Sequence, residues 1–250
     1  MLHEKRLIIK LMDNQMVHRR RRLFVIVPLF LAALFGSLTL IVQENQASVP
    51  IVSPVASSIE GTASPALEAL KTLPIKGRAP TTDYSRDKFG NGWQSAGTCD
   101  MRNKILARDM QAVNYQPETC IVQSGTLQDP YTGKLISFAR GTSTSSAVQI
   151  DHVVALSDAW QKGAQSLTAM QRQQLANDPL ELLAVDGSSN MKKSNGDAAT
   201  WLPSNKAFRC QYVARQIAVK QKYSLWVTAA EHGAIASILN TCPGQTLPQP

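Results

Sequence analysis

The chain is 250 residues long, 44% hydrophobic and 18% charged, which allows one or two domains, although not all of that length is open to a core. Of its 26 basic and 18 acidic residues, seven basic and three acidic ones lie at or before Glu44. The remaining 19 and 15 leave an excess of about four, out of the formal +8 of the whole chain. That excess favours a polyanion mildly but excludes a polybasic tail as the means of holding one.

The basic segment 1–22 ends in Arg19–Arg22, and the uncharged run Leu23–Val42 follows directly. A bilayer crossing needs about 20 apolar residues, and the arginines are expected to stay cytoplasmic. The run is either a transmembrane anchor or a cleaved signal segment; in both cases the rest of the chain is exported. Residues 43–80 are rich in Pro, Ser and Ala and read as an extended linker with a short helix near Ala66–Lys71. Residues 81–242 then form the folded domain, and 243–250 a tail.

Within the domain, the spacing of Met101, Ile105, Leu106, Met110 and Val113 predicts a helix over Met101–Val113. Asp129–Gly133 (DPYTG) is a turn signal between two short apolar segments and predicts a β-hairpin. A strand is expected over Ala147–Val154, leading into a helix near 156–162. A helix over Leu167–Ala176, a strand over Glu181–Val185 and a small helix after Gly187 follow. Asn205–Tyr223 and Thr228–Leu239 are the longest helical patterns. The fold class is α+β, with few strands and more helix.

All four cysteines, Cys99, Cys120, Cys210 and Cys242, follow the apolar run. In an exported domain they read as two disulfides with three possible pairings, of which the local one, Cys99–Cys120 and Cys210–Cys242, closes two modest loops. Of the four histidines only His152 and His232 lie beyond the run, which excludes a three-histidine zinc site in one chain. There is no G-x-S-x-G and no phosphate-binding G-x-x-x-x-G-K-[ST]. His232 sits in a helical run and reads as structural.

Asp151-His152 on the predicted strand, followed by Glu181-Leu-Leu-Ala-Val-Asp-Gly-Ser-Ser-Asn190 and Lys193, is the constellation that carries chemistry. Alone, the pair is a strand end with a carboxylate and a satisfied histidine. With the downstream pattern it resembles the core of HNH endonucleases, in which an Asp-His pair ends one strand and an Asn or His follows on a short helix. Tyr84-x-Arg86, Phe89-Gly90, Cys99-Asp100-x-Arg102-Asn103, Asp129–Gly133 and Trp201-Leu-Pro extend the likeness to exported bacterial proteins of the HNH family, over about 83–242.

The resemblance implies a ββα-metal core inside a mostly helical, disulfide-stapled domain that hydrolyses phosphodiesters of DNA rather than RNA, with little sequence preference. It implies that His152 deprotonates water, that Asp151 and Asn190 hold one divalent cation (Mg²⁺ or Mn²⁺), and that Lys193 contacts phosphate or steadies the transition state. Glu181 stands where the family has Asn. An ionised carboxylate only accepts hydrogen bonds, so it either takes backbone N–H groups, adds charge toward the metal, or marks a different loop. Arg86, Arg102, Arg108 and Arg140 are candidates for phosphate contact or internal pairing, with Arg102 and Asp109 read as a structural pair. Lys206, Arg209 and Lys220 are candidates for a face along a DNA backbone. Trp160 and Trp201 read as packing residues. No small-molecule cofactor is expected, a membrane is a partner only through an uncleaved anchor, and the oligomeric state stays open. The rival readings are a non-catalytic envelope protein that keeps the fold for binding, and a phosphodiesterase for RNA or another phosphate ester.

Overall fold

The computed structural model describes residues 64–248. Segment 1–22, the apolar run 23–42 and the linker as far as residue 63 lie outside the described residues. Among those described, no helix is long and apolar enough to cross a membrane. The first helix, α1 (Pro65–Lys71), is started by the Ser64 side chain, which accepts from the Leu67 N–H, and by Pro65 at its first position. Ala66 and Leu70 are fully buried. The folded unit therefore starts ahead of residue 81: the stretch expected to be linker supplies a core helix, because Ala66, Leu70 and Leu73 form an apolar stripe. The tail also packs, with the Gln245 carbonyl accepting from the Ala66 N–H at 2.9 Å.

Two short paired segments follow, β1 (Ser95–Ala96) and β2 (Cys99–Asp100), and the Asp100 carboxylate caps α2 (Met101–Asp109). The helix expected over Met101–Val113 stops at Asp109. Met110 turns to extended backbone (φ −99°, ψ 158°) and begins β3 (Met110–Tyr115), which pairs antiparallel with β4 (Val122–Gln128). Met110 and Val113 fit a helical face, but a neighbouring strand offering backbone partners overrides that weak local preference. The predicted hairpin forms between β4 and β5 (Leu135–Ala139). Its turn is held by the Asp129 carboxylate, which accepts from the Tyr131 and Thr132 N–H groups, and by Gly133 at φ +74°.

The remaining elements are β6 (Val148–His152), α3 (Leu156–Gln161), α4 (Ala169–Ala176), β7 (Leu182–Asp186), α5 (Gly187–Lys193), α6 (Arg209–Lys222) and α7 (Ala229–Leu239). Lys206–Phe208 is a 3₁₀ turn ahead of α6, so that helix starts a turn later than its sequence pattern. β6 and β7 run antiparallel, from Val148 opposite Asp186 to His152 opposite Leu182.

This two-stranded ribbon separates two apolar clusters. Val148, Ile150, Leu182 and Ala184 pack with Ile105, Leu106 and Phe138 of α2 and the three-stranded sheet. Leu183 and Val185 face the larger cluster with Trp160, Tyr212 and Ile217. Both faces of β7 are thus apolar, and each fully buried Leu or Val contributes roughly 1.5–3 kcal/mol. The disulfides are Cys99–Cys120 and Cys210–Cys242, the local pairing, and the second ties the start of α6 to the chain after α7. Loops of this size typically contribute about 2–4 kcal/mol each.

Candidate functional site

β6 ends at His152, and the chain turns at once into α3. A cleft of 310 Å³ lies at that corner, lined by Ile150, Asp151, His152, Ala155–Ser157, Tyr84 and Arg86, and by Asn190, Ser194 and Asn195 from α5 and beyond. Adjacent strand residues point to opposite faces, so Asp151 and His152 share a cleft only where the strand stops. The opposite wall is set by α5. The Asp186 side chain caps this helix by accepting from the Ser189 N–H at 2.7 Å. Gly187 lets it approach closely, since a Cβ there would stand 2.0 Å from the Ser146 carbonyl oxygen.

Asp151 is buried, and two donors fix its carboxylate. Lys193 Nζ gives a bond of 3.0 Å to Oδ1 and another of 2.7 Å to the His152 carbonyl, and the Tyr131 hydroxyl donates to Oδ2. Burial pushes the Asp151 carboxyl above its ordinary range, and Lys193 and Tyr131 oppose that shift. Burial and the Asp151 charge hold the Tyr131 phenol well above its usual value, so it stays a donor. Tyr131 reaches this position through the DPYTG turn, which is docked on the ribbon by a 2.9 Å bond from the Asp186 N–H to Asp129 Oδ1.

His152 Nε2 lies 2.9 Å from the Ala176 carbonyl oxygen. A carbonyl only accepts, so Nε2 carries the proton and Nδ1 keeps the lone pair. Trp93 stacks on the imidazole, with centroids 5.7 Å apart and planes 11° from parallel. Burial is the main cause that lowers the His152 pKa to about 3; the Ala176 carbonyl works against it, and the Arg86 and Lys193 charges add to it. The ring is therefore neutral at neutral pH.

Asn190 donates from Nδ2 to Gln149 Oε1 at 2.9 Å, which leaves its amide oxygen as an acceptor beside the cleft. Among the described residues no group of three or more His, Cys, Asp and Glu could hold a metal ion. A closed protein cage is thus not offered. One carboxylate and one amide oxygen in a polar cleft do suit a hard cation that keeps most of its waters. A carboxylate has about four acceptor positions, and Tyr131 and Lys193 use two of those on Asp151. The donor set fits Mg²⁺ or Mn²⁺.

Residues 100–238, more than half of the chain, match the family described as GmrSD restriction endonucleases, C-terminal domain. The chain belongs to this family. It is also 40% identical over 183 residues to a protein of Arthroderma benhamiae described as an uncharacterized secreted protein, with 72% of this chain and 86% of that one covered. That relative is fungal, whereas the sequence motifs resemble bacterial proteins.

The GmrSD C-terminal segment contains Asp151, His152, Glu181, Asn190 and Lys193; Arg86 and Trp93 precede it. Glu181 is fully buried and accepts from the Val154 N–H at 3.1 and 3.3 Å, the first of the alternatives open for it. Lys193 is buried behind Asp151 and does not line the cleft. Of the candidate substrate-binding residues, Arg86 alone lines the cleft. Arg140 bonds the Val122 carbonyl and Asn103, and Arg209 bonds the Pro203 carbonyl. Lys206 is exposed on its 3₁₀ turn, outside the cleft lining.

Lys220 corrects the expected basic face of α6: it is fully buried and paired with Glu231 at 3.0 Å. Arg102 and Asp109 do not pair; Arg102 donates to the Val148 carbonyl, and Arg108 takes Asp109 at 2.6 Å. Trp160 and Trp201 pack in or against the core. Sequence reasoning missed Tyr131 and Trp93 as site residues. The DPYTG turn carried the one signal for Tyr131, and Trp93 had none.

Proposed function

We propose that the domain is an exported, metal-dependent endonuclease of the HNH type, cutting phosphodiester bonds of DNA with little sequence preference. The observation that carries this reading is that Asp151 and His152 from the end of β6 and Asn190 from α5 line one cleft, in a domain of an endonuclease family. The order β6, β7, α5 supports a ββα-metal core. The two disulfides and the relative described as secreted support export.

In this reading Asp151 and Asn190 hold a divalent cation through oxygen. The cation, when bound, neutralises charge on the scissile phosphate and on the departing oxygen. His152 Nδ1 accepts the proton of the attacking water while Nε2–H stays anchored on the Ala176 carbonyl. An anionic phosphate beside the ring raises the imidazole pKa, which strengthens it as a base once substrate has arrived. Tyr131 and Lys193 are positioning residues that fix the plane of the Asp151 carboxylate. Arg86 contacts a phosphate oxygen from the cleft wall. Glu181 joins the two loops at the ribbon's end by holding the Val154 N–H.

The test is incubation of the exported domain with supercoiled plasmid in Mg²⁺ or Mn²⁺, with and without chelator. Nicking that requires the metal is expected. A domain that leaves plasmid intact with either metal ends this reading.

A further inference from the structure

A second cavity, of 190 Å³, adjoins the cleft and shares Arg86, His152 and Leu156 with it. Its other walls are Phe89, Gly90, Gly92, Trp93 and Ala176. Phe89, Trp93, Leu156 and Ala176 make it apolar where the cleft is lined by Ser, Asn and Asp. The wall from Arg86 to Trp93 precedes the matched family segment, residues 100–238. Arg86 is exposed at the junction, and its guanidinium has no hydrogen bond or ion pair to any described residue.

A cation between a polar cleft and an apolar, aromatic-lined cavity matches the chemistry of one nucleotide, with its phosphate on one side and its base on the other. We propose that the smaller cavity is a subsite for one nucleoside of the cleaved strand, adjoining the phosphodiester in the cleft. The proposal rests on the nuclease reading above. At 190 Å³ the cavity is smaller than pockets for drug-sized ligands, so it takes one base and not a base pair. A base in this cavity has left its stack and its partner, which costs least in single-stranded or mismatched DNA. The domain therefore favours strands that are unpaired at the break.

Gly92 allows a direct test. It lines the cavity at φ +75°, a conformation Asn adopts more readily than other side chains, and a Cβ there meets nothing within 4 Å, so Gly92→Asn adds a side chain at the cavity wall at a backbone cost that the Gly97 control shares. Gly97, at φ +70° with nothing within 4 Å and outside both cavities, is the control as Gly97→Asn. The substrates are single-stranded oligonucleotides with one cleavable phosphodiester among methylphosphonates, carrying either both flanking bases or an abasic residue on the 5′ or the 3′ side. With Mn²⁺, an abasic residue on one of the two sides is expected to raise KM about tenfold or more while kcat holds. Gly92→Asn is expected to raise KM for the intact strand similarly and to lose the discrimination, and Gly97→Asn to behave as wild type. Cutting with equal KM for all strands, or discrimination that survives in Gly92→Asn, overturns the subsite alone. No cutting of any oligonucleotide or of plasmid overturns the nuclease reading along with it.

Discussion

Two of the places where the molecule buries charge differ in how completely it is answered. In the first, Lys162 reaches Asp158, Asp197 and Glu231 at 2.7, 2.8 and 2.7 Å, Lys220 reaches Glu231 at 3.0 Å, and Arg78 reaches Asp158 and Asp197 at 2.8 and 2.6 Å. Three cations meet three carboxylates, tying α3, α6 and α7 to the chain around Arg78 and Asp197. Burial pulls the Lys162 pKa down, but Asp158 and Glu231 outweigh it and hold the ammonium above its ordinary value. The second place is the end of β6, where Asp151 has two donors and acceptor positions to spare, His152 keeps one nitrogen for the cleft, and Arg86 faces it without a partner. Buried charge therefore does not mark a site here. At the candidate site it comes with acceptor positions and a ring nitrogen left over beside a cleft.

The largest effect that separates the two is on turnover. His152→Ala is expected to lower plasmid nicking in Mn²⁺ by roughly 10²–10⁴-fold per folded molecule, because a general base contributes about that much. Equal nicking rates would remove His152 from the chemistry. Glu231→Ala should do the reverse. Lys220 loses its close partner and Lys162 one of three, which costs about 3–5 kcal/mol, read as a lower urea midpoint, while nicking per folded molecule holds.

Tyr131→Phe removes one of the two donors to Asp151 and keeps the ring in the core. The Mn²⁺ concentration for half-maximal nicking is expected to rise about 10–100-fold, and an unchanged metal titration would show that the hydroxyl does not orient Asp151. The smallest effect concerns pH. Burial raises the Glu181 carboxyl well above its ordinary 4.5, more than the Val154 N–H and Lys193 lower it. The folded state therefore binds this proton more tightly than the unfolded chain. The resulting stability is complete below pH 4.5 and is lost as pH rises toward the raised value. Glu181→Gln should flatten that part of the profile when urea midpoints are compared at pH 5 and pH 8. A slope identical to wild type would assign the pH dependence to other groups.

The parts of the site that could be read in the sequence are those that a short segment carries whole. Asp151-His152 ends one strand and Asn190 follows β7 closely, so the resemblance to HNH endonucleases, carried by that short stretch of sequence, implied that all three meet at one corner. Tyr131 and Trp93 come from segments some 20 and 60 residues upstream of the pair, and their roles exist only after the hairpin turn and the Gly90–Trp93 loop dock. Lys220 was misread because the charge pattern of α6 gives its polar side but not what packs there, and Glu231 on α7 is the answer. Residues 110–113 satisfied helical spacing, and tertiary pairing with β4 decided against it. The cysteine pairing was legible because each bridge joins residues within one coherent segment.

The 2.9 Å bond between the Ala66 N–H and the Gln245 carbonyl makes the described domain nearly a ring in chain terms. Its two ends leave from one spot, with α1 seated in the core beside them. A circularly permuted version, with residues 248 and 64 joined by a few glycines and new ends cut in the exposed stretch around Gln116–Glu118, should keep both disulfides and every cleft residue in place.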